Sequence, residues 1–200
     1  MKPAEYRGSL TREQFLFFEC RIVSRLILEG KSENEIYEII LRDNLFQFPT
    51  EKNIRSIASG CYRRLTFSEN MQLIELIGEA PADIAKQANL YCLMLYNRVV
   101  WDMMEEVIAE KFRNHDLSFD KSSIMVFCSK LRTKDENVAE WSDSTIKKIS
   151  SVLMKCLIEA SYLNSSSSKE LNPVYLYEEV KDCIVQNGDQ EILPAFNCLD

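Results

Sequence analysis

Apolar residues recur at helical spacing from near the start of the chain. The first such set is Phe15, Phe18, Ile22 and Leu26. Intervals of three or four residues place side chains on one face of an α-helix. A capping-box pattern at Thr11-Arg12-Glu13-Gln14 precedes this set, and Gly30 follows it as a stop signal. The pattern predicts a first helix of about five turns between these signals.

Three shorter helices are predicted next. Ser32-Glu33-Asn34-Glu35 is a second capping box and opens a helix that ends near Asp43. Pro49-Thr50 starts a third helix, which runs to about Leu65, and Ser68 is placed to cap a fourth, which ends before Gly78. The N-terminal third of the chain therefore consists of short helices with local start and stop signals.

The segment from Pro81 to about Arg113 predicts one long helix, with a kink allowed. Its middle, residues 90–104, is apolar nearly all round. A helix without a polar face belongs at the centre of a bundle, where other helices surround it.

Two further helices, at about 120–131 and 142–163, complete the predicted body. The serine run 165–168 is then expected to be a solvated linker, followed by a tail with one helix that ends at Asn187-Gly188. The predicted organisation is all-α: a compact multi-helix bundle with an N-terminal unit (1–67), a central bundle (68–164), and a serine-rich linker with a C-terminal helical tail (165–200). With 5 Gly and 5 Pro in 200 residues, the turns of an all-β fold are missing.

Cysteine usage indicates a reducing compartment. The odd count of seven cysteines cannot close a full disulfide framework. The first residues lack the apolar run of an export signal, and the densest apolar stretch falls short of the ~18 residues of a membrane span. We therefore expect a cytoplasmic protein without a transmembrane helix.

The net charge of −7 is unevenly distributed. Residues 1–67 carry +2, residues 68–120 carry −6 and residues 121–200 carry −3. A wholly basic surface for nucleic acid is therefore excluded, but a local basic face is not.

The third predicted helix carries such a face. Its front contains basic and hydroxyl side chains, namely Lys52, Arg55, Ser56, Ser59 and Arg63, with no acidic residue among them. Its back is apolar. Basic and hydroxyl groups are the side chains that contact phosphate, although a merely solvated helix face gives the same pattern.

The position of this helix after a short helix and a turn is helix-turn-helix-like. The connection is longer than the tight turn of that motif. Lys147 and Lys148 form a second basic cluster with Lys155, although Glu159 continues the same side, so this face too can be simply solvated. Lys130, Arg132 and Lys134 could add to it from the preceding segment.

The sequence contains no evident catalytic apparatus. The single histidine, His115, lies at a predicted helix end, and there is no nucleophile elbow or phosphate-binding glycine loop. An acidic group on the long helix consists of Asp102, Glu105, Glu106 and Glu110, for which salt bridges or solvent exposure are favoured over a metal site. We expect no enzyme activity, metal, cofactor or small-molecule substrate.

Much of the chain resembles the BrxA family of bacterial BREX phage-defence systems. The resemblance is carried by Gly8-Ser9-Leu10 and by three blocks: ECRIVSRLILEGKSENEIYEIILRDNLFQFPTEKNIRSIASGCYRRL at 19–65, WSDSTIKKISSVLMKCLIEASYL at 141–163, and NPVYLYEEVKDCIVQNGD at 172–189. The resemblance implies a NusB-like helical bundle and a non-enzymatic DNA-binding role beside other defence components. The family's basic positions in the third helix match Arg55 and Arg64, so Arg64 joins the candidate contacts.

Three functions follow as hypotheses. The first is binding to the backbone of double-stranded DNA with little sequence specificity. The second is a scaffold that holds other BREX components together through the acidic middle and the tail. The third is RNA binding, which rests on the NusB-like resemblance alone.

Overall fold

The computed structural model describes residues 2–3, 5–12 and 14–199, and this part of the chain is helical without a β-strand. In chain order the α-helices are α1 (Phe17–Leu28), α2 (Glu33–Arg42), α3 (Glu51–Phe67), α4 (Met71–Glu79), α5 (Ala82–Tyr96), α6 (Arg98–Met103), α7 (Glu110–Arg113), α8 (Lys121–Lys134), α9 (Glu136–Ala139), α10 (Asp143–Glu159) and α11 (Glu178–Gln186). A π-helical turn (Met104–Ala109) joins α6 to α7, and 3₁₀ turns lie at Gly8–Thr11 and Gln190–Phe196. The all-α prediction is confirmed.

Several helices begin at the predicted local signals. The capping box at Ser32 is formed, with the Ser32 hydroxyl accepting from the Glu35 amide and the Glu35 carboxylate accepting from the Ser32 amide. Asp120 forms a capping box with Ser123 at the start of α8, and Ser142 caps α10 by accepting from the Thr145 amide. The fourth helix differs, because Asn70 rather than Ser68 caps it.

The first helix starts later than predicted. Thr11 belongs to a 3₁₀ turn, and α1 begins at Phe17 after Leu16, which has a left-handed backbone (φ 47°). Glu13, one of the four residues of the predicted capping box, lies outside the described residues. The carbonyls of Gln14 and Phe15 accept hydrogen bonds from distant side chains instead of helix amides. Tertiary contacts thus keep this segment out of the helix.

The long helix predicted for 81–113 is interrupted at Asn97. The backbone of Asn97 is extended, and its side chain accepts a hydrogen bond from the Val99 amide, which makes it the cap of α6. The expected burial of the middle segment is confirmed, since Tyr91, Trp101 and their apolar neighbours are inaccessible to solvent.

A single hydrophobic core contains residues from all three predicted segments. Leu26, Trp101 and Phe196 belong to the same cluster. The segment after the serine run returns to the body of the protein, where the Phe119 amide donates to the Lys169 carbonyl (2.9 Å) and the Leu171 amide donates to the Leu117 carbonyl (2.7 Å). The C-terminal tail is therefore packed into the body.

Candidate nucleic-acid interface

The basic front of α3 is exposed at its N-terminal half. Lys52, Arg55 and Ser56 face solvent, while Ile54 and Leu65 on the opposite side are buried. Thr50 caps the helix by accepting from the Asn53 amide. The cap fixes where the first turn begins and so sets the direction in which Lys52 and Arg55 project.

The C-terminal half of this front lies next to α2. Ser59 is half-buried and hydrogen-bonds the Tyr37 hydroxyl, which in turn donates to the Glu33 carboxylate. Burial and the bond to Glu33 raise the pKa of Tyr37. Arg63 is exposed and lies near enough to act on Tyr37 electrostatically. An acidic group from α2, which the α3 sequence alone does not reveal, therefore lies close to Ser59.

Arg64 requires a correction. Its side chain is 0% exposed, and its guanidinium donates to the carbonyls of Phe15 (2.9 Å) and Gln14 (2.5 Å). A buried guanidinium that is bonded to the backbone has no access to a DNA phosphate. The prediction that Arg64 contacts DNA is wrong in this fold, because the residue lies one position, or about 100°, away from Arg63 around the helix.

The second predicted cluster is exposed on α10. Lys147 and Lys148 face solvent and border a groove of about 560 Å³ that also contains Lys155 and Arg12. Arg12 comes from the segment before α1 and has no periodic relationship to α10, so sequence reasoning missed it. Three other cations were considered for this cluster. Arg132 pairs with Asp143 (2.9 Å) and Lys134 pairs with Glu106 (2.6 Å). Lys130 lines a different pocket, together with Glu106 and Glu110.

All four carboxylates of the acidic group on the long helix have cationic partners, and that of Glu106 is Lys134. Asp102 is buried and accepts from Lys2 (2.8 Å) and from the Tyr6 hydroxyl (2.5 Å). Glu105 also pairs with Lys2. Glu110 pairs with Arg113. In the described part of the chain, histidine, cysteine and carboxylate side chains form no group of three that could hold a metal ion.

The remaining candidate groups are the single histidine and the cysteines. His115 is exposed, with a left-handed backbone (φ 52°), just after the end of α7. The seven cysteines are free thiols. Among the described residues, no helix combines the length and the apolar character needed to cross a membrane.

Fold and surface together define a compact all-helical protein with exposed basic faces on α3 and α10. The family model of BrxA matches residues 4–188, and the chain belongs to the BrxA family. It is 30% identical to the BREX protein BrxA of Bacillus cereus over 94% of both chains. It is 26% identical to the BREX protein BrxA of Escherichia coli, over 93% of this chain and 87% of that protein. A crystal structure of an uncharacterized protein from Magnetospirillum magneticum has the same fold, with a TM-score of 0.81 and 21% identity over 96% of this chain and 98% of that one.

Proposed function

We propose that this protein is a non-enzymatic DNA-binding accessory subunit of a bacterial BREX phage-defence system. It binds the phosphate backbone of double-stranded DNA with little sequence specificity and uses no cofactor or small-molecule substrate. Membership of the BrxA family supports the role in BREX defence. The proposed contacts are Lys52, Arg55, Ser56, Ser59 and Arg63 on α3, with Lys147 and Lys148 on α10.

The main support for the proposal comes from the ion pairs that Lys52 and Arg55 do not form. Both are exposed, and neither forms an ion pair with any residue that the structure describes. Several cations elsewhere are already bound to carboxylates, as Lys134 is to Glu106. Unpaired cations on one helix face can bind phosphates and release the counterions that phosphates hold in solution.

The helix-turn-helix-like arrangement of α2 and α3 belongs to the same proposal. Residues 43–50 connect the two helices, and this connection is longer than the three or four residues of the standard motif. We therefore expect contacts to the DNA backbone rather than reading of base edges by α3.

A salt titration tests the proposal. The full chain is titrated against a fluorescein-labelled duplex of random sequence, and binding is followed by fluorescence anisotropy at several salt concentrations. With about 4–6 phosphate contacts, the slope of log K against log salt should be about −4 to −5. The Lys52→Gln/Arg55→Gln variant should lower the magnitude of this slope by about 2.

The matched control is Lys121→Gln/Lys130→Gln on α8, which removes the same charge from an exposed helix elsewhere. Absence of binding at about 50 mM salt, or equal slopes for the α3 variant and the control, would contradict the proposal. A single-stranded RNA of equal length in the same assay separates DNA binding from the NusB-like alternative. Preference for the RNA would favour that alternative.

The second candidate function is a scaffold for other BREX components, which family membership favours. Scaffolding predicts that partner proteins co-purify with the chain after nuclease treatment. Loss of every partner on nuclease treatment would mean that shared DNA, and not this protein, holds them together.

A further inference from the structure

A basic groove lies between the segment that precedes α1 and the exposed side of α10. Arg12 lies on one side of the groove, and the other side contains Lys147, Lys148 and Lys155. Residues 8–11 form the 3₁₀ turn that packs on α10. The groove therefore brings together cations that are separated by more than 130 positions in the sequence.

The groove contains no negative charge from the residues that the structure describes along it. None of its four cations forms an ion pair with a described residue. Glu159 lies one turn beyond Lys155, and its charge acts on that end of the α10 row. Four like charges around one groove repel one another, and an anion that binds between them relieves this repulsion.

The length of the lysine row favours an extended anion over a small one. Lys147 and Lys155 are separated by eight positions, which is about 12 Å along a helix. Phosphates of one duplex strand advance by about 3.4 Å along the duplex axis, so a row of this length spans more than one phosphate. A single phosphate ion would reach only part of this row.

The chemistry of the row suits a chain of phosphates. Three of the four cations are lysines, whose ammonium groups act as compact point charges on phosphate oxygens. Arg12, the one arginine among the described residues of the groove, can bind a phosphate through two parallel hydrogen bonds.

Hydrogen bonds from buried side chains hold the side of the groove on which Arg12 lies. Arg64 of α3 donates to the Gln14 and Phe15 carbonyls, and the Asn89 amide donates to the Phe15 carbonyl at 2.8 Å. Gln14 itself lines the groove. The backbone two residues beyond Arg12 is therefore held at a defined distance from α10.

We propose that this groove is a second DNA-binding surface, separate from the α3 face, which holds one strand of the phosphate backbone. Arg12 and Lys155 are additional binding residues, beside Lys147 and Lys148. The inference rests on the proposed function and adds a distinct site to it.

The anisotropy assay described above tests the groove with the full chain. The groove variant is Arg12→Gln/Lys155→Gln, compared with Lys52→Gln/Arg55→Gln on α3 and with the control pair on α8. Arg12 and Lys155 are exposed, so their replacement should leave thermal unfolding unchanged. We expect the groove variant to weaken duplex binding at least about tenfold at about 100 mM salt and to lower the magnitude of the salt slope by about 2.

The outcomes separate the two proposals. If the α3 variant loses affinity while the groove variant behaves like the α8 control, the groove is not a DNA site and the proposed function stands. If the wild-type chain binds no duplex, the proposed function fails and the groove inference fails with it. If poly-glutamate of equal charge displaces the duplex from the α3 variant as well as unlabelled duplex does, the groove is a site for acidic protein segments instead.

Discussion

The guanidinium of Arg64 donates a 2.9 Å hydrogen bond to the backbone carbonyl of Phe15, 49 positions earlier in the chain. The same side chain donates to the Gln14 carbonyl. These two bonds connect the C-terminal part of α3 to the segment that leads into α1. Because the Gln14 and Phe15 carbonyls are bonded in this way, α1 starts only at Phe17. The same bonds hold the side of the basic groove that contains Gln14.

Removal of this guanidinium should destabilise the protein. In Arg64→Met the aliphatic stem is kept but the bond to Gln14 is lost, and Phe15 retains only the bond from Asn89. We expect a loss of about 2–4 kcal/mol in the free energy of unfolding. Urea denaturation measures it, with Arg55→Met on the exposed face of the same helix as the control. Equal denaturation midpoints for the two variants would contradict the structural role of Arg64.

The buried carboxylate of Asp102 should hold the N-terminal segment on α6. It accepts from the Tyr6 hydroxyl and pairs with Lys2, while the Arg98 guanidinium lies 4.5 Å from the Tyr6 ring centre. In Asp102→Asn the charge that attracts Lys2 is lost, so we expect a loss of about 2–4 kcal/mol in stability. Limited trypsin digestion should then cut faster at Arg7.

The control for Asp102 is Glu105→Gln, because Glu105 pairs with the same lysine but is partly exposed. An exposed pair contributes about 0–1 kcal/mol. If Glu105→Gln and Asp102→Asn accelerate cleavage at Arg7 equally, burial of Asp102 has no special role.

Truncation after Leu163 should abolish cooperative folding. The removed segment contributes Ile184 and Phe196 to the core, and Asp189 accepts a 2.7 Å hydrogen bond from the buried Tyr91 hydroxyl. The truncated chain should show loss of near-ultraviolet circular dichroism and binding of a hydrophobic dye. Ser166→Ala/Ser167→Ala is the control, because both serines are exposed. A truncated chain with a native melting transition would show that the tail is dispensable, and only then could this truncation test scaffolding.

Protonation of the Asp116 carboxylate at low pH should weaken the turn that follows α7. Hydrogen bonds from Ser118 and Lys111 lower the pKa of Asp116 from its ordinary value of 3.8 to about 2. A lowered pKa in the folded state means that the stabilisation is present above pH 3.8 and is lost as the pH falls towards about 2. Carboxyl-carbon NMR should show this titration midpoint, and Asp116→Asn should remove the corresponding pH dependence of unfolding. A midpoint at the ordinary value would rule out the hydrogen-bonded arrangement.

The sequence predicted the elements whose signals are local. The capping box at Ser32, the starts of α8 and α10, and the apolar back of α3 each depend on residues within one or two helical turns. The exposure of Lys52, Arg55, Lys147 and Lys148 follows from the same periodicity. Their contact with DNA stays a prediction.

The sequence could not assign the positions that depend on distant partners. Arg64 continues a basic run in the sequence but is buried in the fold. Arg12 belongs to no basic pattern in the sequence, but in the fold it borders the groove together with the α10 lysines. The tail after the serine run looks separable in the sequence because polar residues surround it, but its apolar side chains complete the core.

The sequence alone determined an all-helical chain, the start or end of several helices and an acid-free basic front on α3, because these depend on interactions between residues three or four positions apart. The tertiary structure decided the start of α1, the burial of Arg64 and the composition of the groove. Each of these depends on hydrogen bonds or packing between residues about 50 or more positions apart. Such contacts form only when the apolar faces of the helices come together, and no local pattern encodes them.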